Sequence, residues 1–593
     1  MPKLRAIDEE CADLLTQLLH VYENPPDPAK AKTLNVEQFR VLLADHPDFD
    51  IEFKLIEDGF PLGLNDRDPS NLCKNVRNYV KDTRELRALL KRMVKEAQKC
   101  YITPTLSKGK YVLTLLCVPK TDSETGLKTD IRVARHGSYS TKRTIAINDK
   151  ILKVNSGIET LPNIKIYIKI LLASKFVCIR DLKDAFRQLG LATIDCEWIV
   201  YCVFNLRFFD NRQAYGVASS AANCQHFTEI LIWIFEKHFL SKEQIKRVLV
   251  HIDDFIIGAQ IKDEAIKMGE QFDEKCRKLG VEISHAKSKN GIQEGVVHGF
   301  GFDLVSKMVY IPDMKFAEIV HALLLCLKYR WADGRALESI CGKLMHWSQF
   351  RKHAKVLCFR ILTMIHKLIR KNRHLRNQIF YIHDCICLDF RFWLRYAFFM
   401  REVSMESIVY TPSITITAST DASNKGGGFV VGSHYGSYEF RDTKNKYGIN
   451  HRKMHINLQE AHAVVMLLFN FREELSGQKL LLYIDNKSVM YSMFRNWSGS
   501  LALMEYIHEI VLLMCTYKID VHVDYITSEM NGLSDAQSRF EYKRFNKMVK
   551  DWDLTLDKRH TNLKYYAELD LLKNTSVTKT QMTETMERLF QIV

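Results

Sequence analysis

The chain has 593 residues, of which 47% are hydrophobic, so it can build several cores and is not a mostly disordered protein. Its 85 Lys and Arg residues outnumber its 70 Asp and Glu residues, and the formal charge of +15 favours a partner rich in phosphate groups. The 15 cysteines include no CxxC pair, which argues against a zinc ribbon or a disulfide scaffold, and no apolar run or signal peptide predicts a membrane protein. We therefore expect an intracellular protein, cytoplasmic or nuclear, without a membrane partner.

The first part of the chain is predicted to be mostly helical over residues 1–105, with a basic helix over residues 84–98. Residues 111–139 then predict a β-hairpin: an apolar strand, a turn with Gly and Ser, and a second strand that carries cations. The cations of interest on this hairpin are Lys120, Lys128, Arg132 and Arg135.

An apolar strand at residues 176–179 leads directly into Asp181, which is followed by Asp184. A carboxylate at a strand end is a candidate metal ligand, and Asp181 is the stronger candidate of the two. Asp184 has a simpler alternative reading, because Asp often turns the chain after a strand.

The pair Asp253-Asp254 lies between two apolar runs, residues 248–250 and 255–257. Burying two unpaired carboxylates costs several kcal/mol by order of magnitude, so a bound cation is the natural compensation. A hairpin tip with two adjacent acids, completed by Asp181, suits two divalent ions about 4 Å apart. The alternative for such a pair taken alone is a turn with two solvated side chains.

A second set of acids lies beyond residue 410. Four segments follow one another as a strand that breaks at three glycines, an amphipathic helix, a buried strand and a short helix, each with one acid: 413–432 with Asp421, 457–471 with Glu460, 479–494 with Asp485, and 522–540 with Asp535. Singly, each acid has an ordinary explanation, such as a turn residue or a helix N-terminal residue favoured by the dipole. All four in this order have no such ordinary explanation, and ribonuclease H, which they resemble, implies that the four carboxylates bind two Mg²⁺ ions.

Both acid sets resemble known metal-dependent enzymes. The pattern Asp181-x-x-Asp184-Ala-aromatic after a strand resembles the first catalytic motif of reverse transcriptases. His251-Ile252-Asp253-Asp254 resembles their paired-Asp motif, with His251 where that family has Tyr or Phe. The order Asp, Glu, Asp, Asp farther along looks like ribonuclease H.

This resemblance implies an α+β multidomain fold, in which a right-hand polymerase with fingers, palm and thumb precedes a ribonuclease H-like α/β domain. The implied divisions are a helical N-terminal region (1–105), fingers and palm (106–312), a helical thumb and connection (313–410), ribonuclease H (411–540) and a basic tail (541–593). The implied activities are RNA-directed DNA polymerase and RNA–DNA hybrid ribonuclease, with two Mg²⁺ ions per site and Mn²⁺ as a substitute. The implied partners are an RNA template, a DNA primer or RNA–DNA hybrid, and dNTPs.

The resemblance also implies roles for single residues near the first acid set. Phe186 is expected to block a ribose 2′-hydroxyl, unless it is a core residue, and Asp184 is expected beside the substrate. The loop 213–220, with Tyr215, Gly216 and Ser220, is expected to position template and substrate, with Gly216 allowing close backbone approach. A helix is predicted from residue 220 through residue 233.

Three more segments have implied functions. Lys120, Lys128 and Arg132 are expected over the triphosphate, with Arg135 as a competitor of Arg132. Lys287, in the segment 278–288, is a candidate general acid towards pyrophosphate, or else an ion-pairing surface Lys. Residues 296–302 look like the hairpin that grips the primer, where Gly299 allows the turn. No His lies between residues 523 and 540, so the His that ribonuclease H often uses for product release is unassigned.

The subfamily prediction depends on softer features. Residues 59–65 (GFPLGLN), the short connection before ribonuclease H and residues 457–464 (NLQEAHAV) look like DIRS-type retrotransposons, which use a tyrosine recombinase. A helix over residues 336–350 resembles the thumb of retroelement polymerases. The alternatives are a gypsy-like or pararetroviral polymerase and a host-retained, non-catalytic nucleic-acid-binding derivative.

Overall fold

The structure, a computed structural model, describes residues 8–27, 34–70, 72, 78–121, 128–140, 144–152, 164–241, 244, 247–350, 352–367, 377–410, 413–440 and 451–561. The chain divides into two compact units, Met1–Pro312 and Asp313–Val593. Both units combine helices with sheets, which confirms the α+β multidomain class predicted from the sequence.

The first unit begins with helices and continues as small sheets with helices between their strands. Its helices are α1 (Glu9–Glu23), α2 (Val36–Leu43), α3 (Phe49–Asp58), α4 (Thr83–Gln98), α5 (Ile147–Lys150), α6 (Ile164–Leu172), α7 (Ala185–Gln188), α8 (Ala218–Phe239) and α9 (Lys262–Lys278). Its strands are β1 (Ile102–Pro104), β2 (Val112–Leu113), β3 (Leu115–Thr121), β4 (Lys128–Arg135), β5 (Phe176–Asp181), β6 (Val200–Val203), β7 (Leu206–Asp210), β8 (Val248–His251), β9 (Asp254–Ala259), β10 (Lys289–Ile292), β11 (Glu294–Val297), β12 (Phe300–Asp303) and β13 (Met308–Tyr310).

The strands of this unit form separate sheets. One sheet has the order β10-β5-β9-β8 with antiparallel neighbours, and another has the order β1-β7-β6-β2. Strands β3 and β4 pair as the predicted antiparallel hairpin, while β11, β12 and β13 are consecutive antiparallel strands.

Helices α8 and α9 pack against the sheet that contains β5 and β9. Phe227 and Ile234 on α8 and Phe272 on α9 share a buried core with Phe255 and Ile257 on β9. This core packs against the middle of the sheet and thereby places the strand ends that carry the acids. Helix α8 is longer than predicted, because its apolar residues continue to contact the core after residue 233.

The second unit has a helical first part and a mixed sheet. Its helices are α10 (Asp313–Tyr329), α11 (Gly334–Trp347), α12 (Phe359–Ile365), α13 (Asp384–Arg401), α14 (Met405–Val409), α15 (Ile456–Asn470), α16 (Lys487–Arg495), α17 (Leu501–Tyr517), α18 (Gly532–Ser538) and α19 (Tyr542–Asp551). Its strands are β14 (Trp331–Asp333), β15 (Ile379–Tyr381), β16 (Glu402–Ser404), β17 (Ile416–Ala422), β18 (Gly426–Val431), β19 (His434–Glu439), β20 (Lys479–Ile484), β21 (Asp520–Tyr525) and β22 (Asp557–Lys558). The mixed sheet has the order β21-β20-β17-β18-β19-β22, with β17, β20 and β21 parallel and β17, β18 and β19 antiparallel.

Helix α15 is the central helix of the mixed-sheet core. Every residue from 459 to 470 is buried, because α15 packs against β17 and β18 and also against α17. The prediction that this helix is amphipathic is therefore wrong, because a helix covered on all sides has apolar residues on every face.

The three glycines at 426–428 begin strand β18 and do not form the break predicted from the sequence. The turn lies at residues 423–425. A Cβ on Gly427 would lie 2.5 Å from the Tyr438 ring, and one on Gly428 would lie 2.5 Å from the Ser538 nitrogen. These glycines are needed for close packing, not for turning the chain.

Helix α11 contains Gly342, where the resemblance to the thumb of retroelement polymerases implies the close approach of another helix. A Cβ at Gly342 would meet no heavy atom within 4 Å, so that expectation is wrong for the part of the chain that the structure describes. The neighbouring Lys343 donates a hydrogen bond to Glu318 at 2.6 Å.

Within the described residues, every helix is too short or too polar to span a lipid bilayer.

Candidate active sites

The first acid cluster, Asp181, Asp253 and Asp254, is built by the pairing of three strands. Asp181 lies opposite Asp254 in the antiparallel register of β5 and β9, and His251 lies opposite Asp254 in the register of β8 and β9. Ile252 and Asp253 form the two-residue turn of that hairpin. The structure thus brings together the three aspartates that the sequence predicted as ligands.

The turn of this hairpin holds Ile252 in a left-handed conformation with φ = +57°. This region is unfavourable for a β-branched residue, so the turn stores strain. The Ile252 N–H donates to Gln225 Oε1 at 2.6 Å, and the Asp253 carbonyl accepts from the Leu182 N–H at 3.1 Å. These bonds hold the acidic tip in place against the strain.

The charges of the cluster repel one another. Burial and the charge of Asp181 raise the pKa of Asp253 to about 6. Burial and the charges of Asp253 and Asp181 raise the pKa of Asp254 to about 7. A divalent cation would relieve both effects, and the carboxylate oxygens offered here are the ligands that Mg²⁺ prefers.

Lys287 lies beside the same cluster. Its Nζ donates to Asp181 Oδ2 at 2.6 Å, and half of its side chain remains exposed. Burial lowers the pKa of Lys287, but the hydrogen bond and charge of Asp181 outweigh burial, so the pKa lies above its usual value. The ammonium therefore neutralises part of the acid cluster.

An aromatic and cationic surface adjoins the cluster. The Phe186 and Tyr215 rings lie 4.7 Å apart, and the guanidinium carbon of the exposed Arg132 lies 4.7 Å from the Tyr215 ring centre. Arg132 is close enough to lower the pKa of Asp253. Phe186, Tyr215 and Arg132, all predicted as substrate residues, thus form one surface.

Arg135 is removed as a competitor of Arg132, because its side chain is 1% exposed and pairs with Glu96 and Asp210. The side chains of Lys120 and Lys128 lie outside the described residues, so their triphosphate contacts remain predictions.

Two residues of the loop 213–220 have different roles from those predicted. Gly216 has φ = +97°, and a Cβ there would lie 1.8 Å from the Arg135 carbonyl oxygen, so the close approach is to strand β4. Ser220 is fully buried, and its Oγ donates to Gln213 Oε1 and accepts from the Ala214 N–H, both at 3.2 Å. Burial rules out direct substrate contact for Ser220, which instead fixes the loop.

Asp184 precedes α7 with a left-handed backbone, φ = +49°. Its partly exposed carboxylate accepts a hydrogen bond from Arg92 at 3.0 Å. Asp184 therefore serves as a turn residue tied to α4, and its expected contact with substrate stays a prediction.

The hairpin of β11 and β12 turns at His298 and Gly299, whose φ values are +50° and +84°. Two left-handed residues are typical of a type I′ turn, which explains Gly299. His298 Nδ1 lies 3.4 Å from Asp254 Oδ2, and its ring lies 5.1 Å from the His251 ring. Sequence reasoning singled out this hairpin for its glycines and missed His298, although it precedes Gly299 directly.

The second acid cluster, Asp421, Glu460 and Asp485, lies in the second unit. Asp421 and Asp485 each follow one member of a register pair, Thr420 and Ile484, on the parallel strands β17 and β20. Ligand oxygens of Asp421, Glu460 and Asp485 all lie within 4.8 Å of one another. Among the described residues, this is the one group of acids whose ligand atoms all lie this close to one another. The carboxylate oxygens of the first cluster lie farther apart.

These carboxylates are also electrostatically strained. Burial raises the pKa of Asp421 to about 7, and burial together with the charges of Asp421 and Asp485 raises the pKa of Glu460 well above its usual value. Burial likewise raises the pKa of Asp485. Glu460 Oε2 is buried and has no hydrogen-bond partner among the described residues. A close group of acids with an unsatisfied oxygen fits a divalent cation.

Asp535, the fourth predicted ligand, does not join this close group. Arg539 and Arg544 each approach a different oxygen of its carboxylate at 2.6 Å. Burial raises the pKa of Asp535, but the hydrogen bonds from both arginines outweigh it and the pKa lies below its usual value. Asp535 is still near enough for its charge to raise the pKa of Asp421.

Two serines complete the second site and were missed from the sequence. Ser538 Oγ donates to Asp421 Oδ2, and Ser528 Oγ donates to Asp485 Oδ2 at 3.3 Å. A single serine in a polar segment carries no signal that would have identified either one.

Comparison with known proteins gives limited similarity. No family model matches the sequence, and no curated protein matches it. The structure of the foamy viral protease-reverse transcriptase dRH in complex with double-stranded DNA is similar with a TM-score of 0.42 at 14% identity, covering 85% of this chain and 84% of that one. The foamy viral protease-reverse transcriptase in complex with double-stranded DNA gives 0.40 at 15% identity, covering 84% and 98%. The same protein in complex with RNA/DNA hybrid gives 0.42 at 13% identity, covering 85% and 64%. Because these TM-scores are below 0.5, the functional argument rests on the two acid clusters.

Proposed function

We propose that this protein is an RNA-directed DNA polymerase with ribonuclease H activity, which copies RNA into DNA and degrades the RNA of the resulting hybrid. The observation that supports this proposal is the presence, in one chain, of two acid clusters on two different sheets: Asp181 with Asp253 and Asp254, and Asp421 with Glu460 and Asp485. The proposed partners are an RNA template, a DNA primer or RNA–DNA hybrid, and dNTPs. The formal charge of +15 suits such partners.

In the polymerase site, Asp181, Asp253 and Asp254 would hold two Mg²⁺ ions, with Mn²⁺ as a substitute. When bound, the ions lower the pKa of the primer 3′-hydroxyl and neutralise charge on the leaving pyrophosphate. Arg132 and Tyr215 would orient the incoming dNTP. Lys287, next to Asp181, would give a proton to pyrophosphate.

Phe186 would select the sugar in this site. Its ring lies 4.7 Å from the Tyr215 ring and so would lie beside the nucleotide that Tyr215 would contact. An aromatic ring at this place leaves no room for a ribose 2′-hydroxyl, and deoxynucleotides are therefore preferred.

In the ribonuclease site, Asp421, Glu460 and Asp485 would hold divalent ions that activate a water for attack on the RNA strand. Glu460 has a buried oxygen without a hydrogen-bond partner among the described residues, which a cation would satisfy. Asp535 would contribute after it leaves Arg539 and Arg544.

The experiment that tests this proposal separates the two sites. Primer extension on an RNA template should be lost in Asp253→Asn while RNA cleavage in a hybrid continues, and Asp485→Asn should show the reverse. Asp524→Asn, an exposed acid on β21, is the matched control and should keep both activities. Reciprocal loss supports two independent metal sites.

The rival proposal is a non-catalytic nucleic-acid-binding protein retained by a host. Wild-type protein that binds a hybrid but is inactive in both assays with Mg²⁺ and with Mn²⁺ would favour this rival. The close grouping of acids in the second unit argues against it, because a binding protein gains nothing from repelling carboxylates.

For the subfamily, we propose a DIRS-type element acting inside the cell, in the cytoplasm or nucleus. Residues 59–65 and 457–464 support this proposal, and a gypsy-like or pararetroviral polymerase is the alternative. Sequencing the surrounding locus tests it: a tyrosine recombinase gene beside this one supports the DIRS type, and a DDE integrase gene contradicts it. Tagging the protein in cells tests its location.

A further inference from the structure

A buried ionic network adjoins the surface formed by Phe186, Tyr215 and Arg132. Its members, called here the Glu96–Asp210 network, are Arg92, Glu96, Arg135, Arg187 and Asp210. Glu96 Oε2 accepts from Arg135 at 2.7 Å and from Arg187 at 2.9 Å, and Glu96 Oε1 accepts from Arg92 at 2.6 Å. Asp210 accepts from Arg187 at 2.7 Å and from Arg135 at 3.0 Å. All except Arg92 are at most 1% exposed.

The charges of this network are balanced only when Asp184 is counted with it. Arg92, Arg135 and Arg187 carry three positive charges, against two negative charges on Glu96 and Asp210. The ion pair of Arg92 with Asp184 supplies the third negative charge. Burial raises the pKa of Glu96, but the charges of Arg135 and Arg187 outweigh burial and keep it ionised. A buried network of this kind seldom adds much net stability, so stability alone does not account for it.

Each residue of that surface lies on a segment attached to this network. Arg187 follows Phe186 directly on α7, and Arg135 lies three residues after Arg132 on β4. The Arg135 N–H donates to the Tyr215 carbonyl at 2.7 Å. The same two carboxylates therefore anchor the backbone beneath Phe186, Arg132 and Tyr215.

The short helix α7 is held at both of its ends. At one end Arg187 is buried between Glu96 and Asp210. At the other end Arg92 donates a hydrogen bond to the carboxylate of Asp184, whose backbone is left-handed. Phe186 lies between these two attachments. A four-residue helix makes few hydrogen bonds of its own, so its orientation depends on them.

We propose that the Glu96–Asp210 network positions Phe186 and thereby sets the discrimination between deoxyribonucleotides and ribonucleotides. Arg92 and Glu96 are positioning residues in this scheme, since they act through α7 and do not touch the nucleotide. This inference rests on the proposed polymerase function and adds the residues that control its sugar selectivity.

The test compares kcat/KM for dCTP and CTP in primer extension. Arg92→Gln removes the attachment of Asp184, and we expect the ratio of the two kcat/KM values to fall roughly tenfold, because small displacements of a positioning group have effects of that order. Arg92→Lys keeps one charged donor and should restore part of the ratio. Phe186→Val removes the ring itself and should show the largest fall.

The control is Arg87→Gln on the same helix α4, where Arg87 pairs with Asp8 and Glu10 and not with the network. A purely structural loss lowers the active fraction, which reduces both kcat/KM values equally and leaves their ratio unchanged. Arg92 is 22% exposed, so Arg92→Gln should fold even where Glu96→Gln does not.

The outcomes separate the two proposals. Wild-type protein without primer extension contradicts the polymerase function. Wild-type protein that extends primers, together with an Arg92→Gln variant whose ratio is unchanged or falls no more than that of Arg87→Gln, overturns the role of the network.

Discussion

Asp181 and Asp254 face each other across the antiparallel strands β5 and β9, and Asp254 directly follows the turn residue Asp253. Because side chains alternate along a strand, a register shift of one residue would turn one of them to the other face of the sheet. The register is secured by the apolar core beneath β5 and β9. The acid cluster is therefore a direct product of strand pairing, and its repulsion has measurable consequences.

The first prediction concerns pH and divalent ions. Asp253, Asp254 and Asp421 have pKa values of about 6, 7 and 7, well above about 3.9 in an unfolded chain. The metal-free folded protein thus holds protons that the unfolded chain has lost, so the free energy of unfolding should decrease as pH rises from about 4 to 7. Mg²⁺ replaces these protons and should raise Tm more at about pH 8 than at about pH 6.

Scanning calorimetry with EDTA or MgCl₂ measures this effect. Asp253→Asn and Asp421→Asn should each reduce the Mg²⁺-dependent rise in Tm, whereas Asp524→Asn should not. Equal Tm values with and without Mg²⁺ at about pH 8 would contradict metal binding at both clusters.

The second prediction separates the two arginines of strand β4. Arg132→Gln removes an exposed cation from Tyr215 and should raise KM for dNTPs roughly tenfold with little change in Tm. Arg135→Gln removes one of the two buried arginines that pair with Glu96 and Asp210 and should cost about 3–5 kcal/mol of stability. Steady-state kinetics and urea unfolding measure the two effects. A loss of stability in Arg132→Gln and a raised KM in Arg135→Gln would contradict both assignments.

The third prediction tests Lys287 as a proton donor. Lys287→Gln should slow the single-turnover rate of nucleotide addition by about 10²-fold, and the loss should be larger at high pH, where a donor is scarcer. Lys183→Gln, which removes an exposed lysine paired with Glu282, is the control. If Lys287 only neutralises Asp181, the rate will be retained and less Mg²⁺ will be needed for half-maximal activity.

The fourth prediction concerns Arg544, which pairs with Asp535 near the second acid cluster. The pair is partly exposed, and such pairs contribute about 0.2–1 kcal/mol. Arg544→Gln should therefore lower the Mg²⁺ concentration for half-maximal RNA cleavage by up to about fivefold. Titration with Mn²⁺ followed by electron paramagnetic resonance gives the binding constant independently of activity, and an unchanged constant would show that Arg544 does not compete with the metal.

Much of the candidate sites was predictable from local sequence. Asp181, Asp253 and Asp485 follow apolar runs, and a strand that ends in an acid is a strong pattern because the apolar residues determine where the strand ends. The same reasoning located the β3–β4 hairpin. It failed for α15, because hydrophobic content over residues 457–471 does not reveal whether one side or all sides of a helix are covered.

The sequence by itself determined which acids could serve as ligands and which strands and helices carry them. Only the tertiary structure decided between Arg132 and Arg135 and showed that Ser220 is buried. It also brought His298 beside Asp254 and paired Asp535 with Arg539 and Arg544. The physical reason is that strand ends and helix faces are set by neighbouring residues along the chain. Burial and charge pairing, in contrast, depend on residues far apart in sequence, such as Arg135 and Asp210, that meet only in the folded protein.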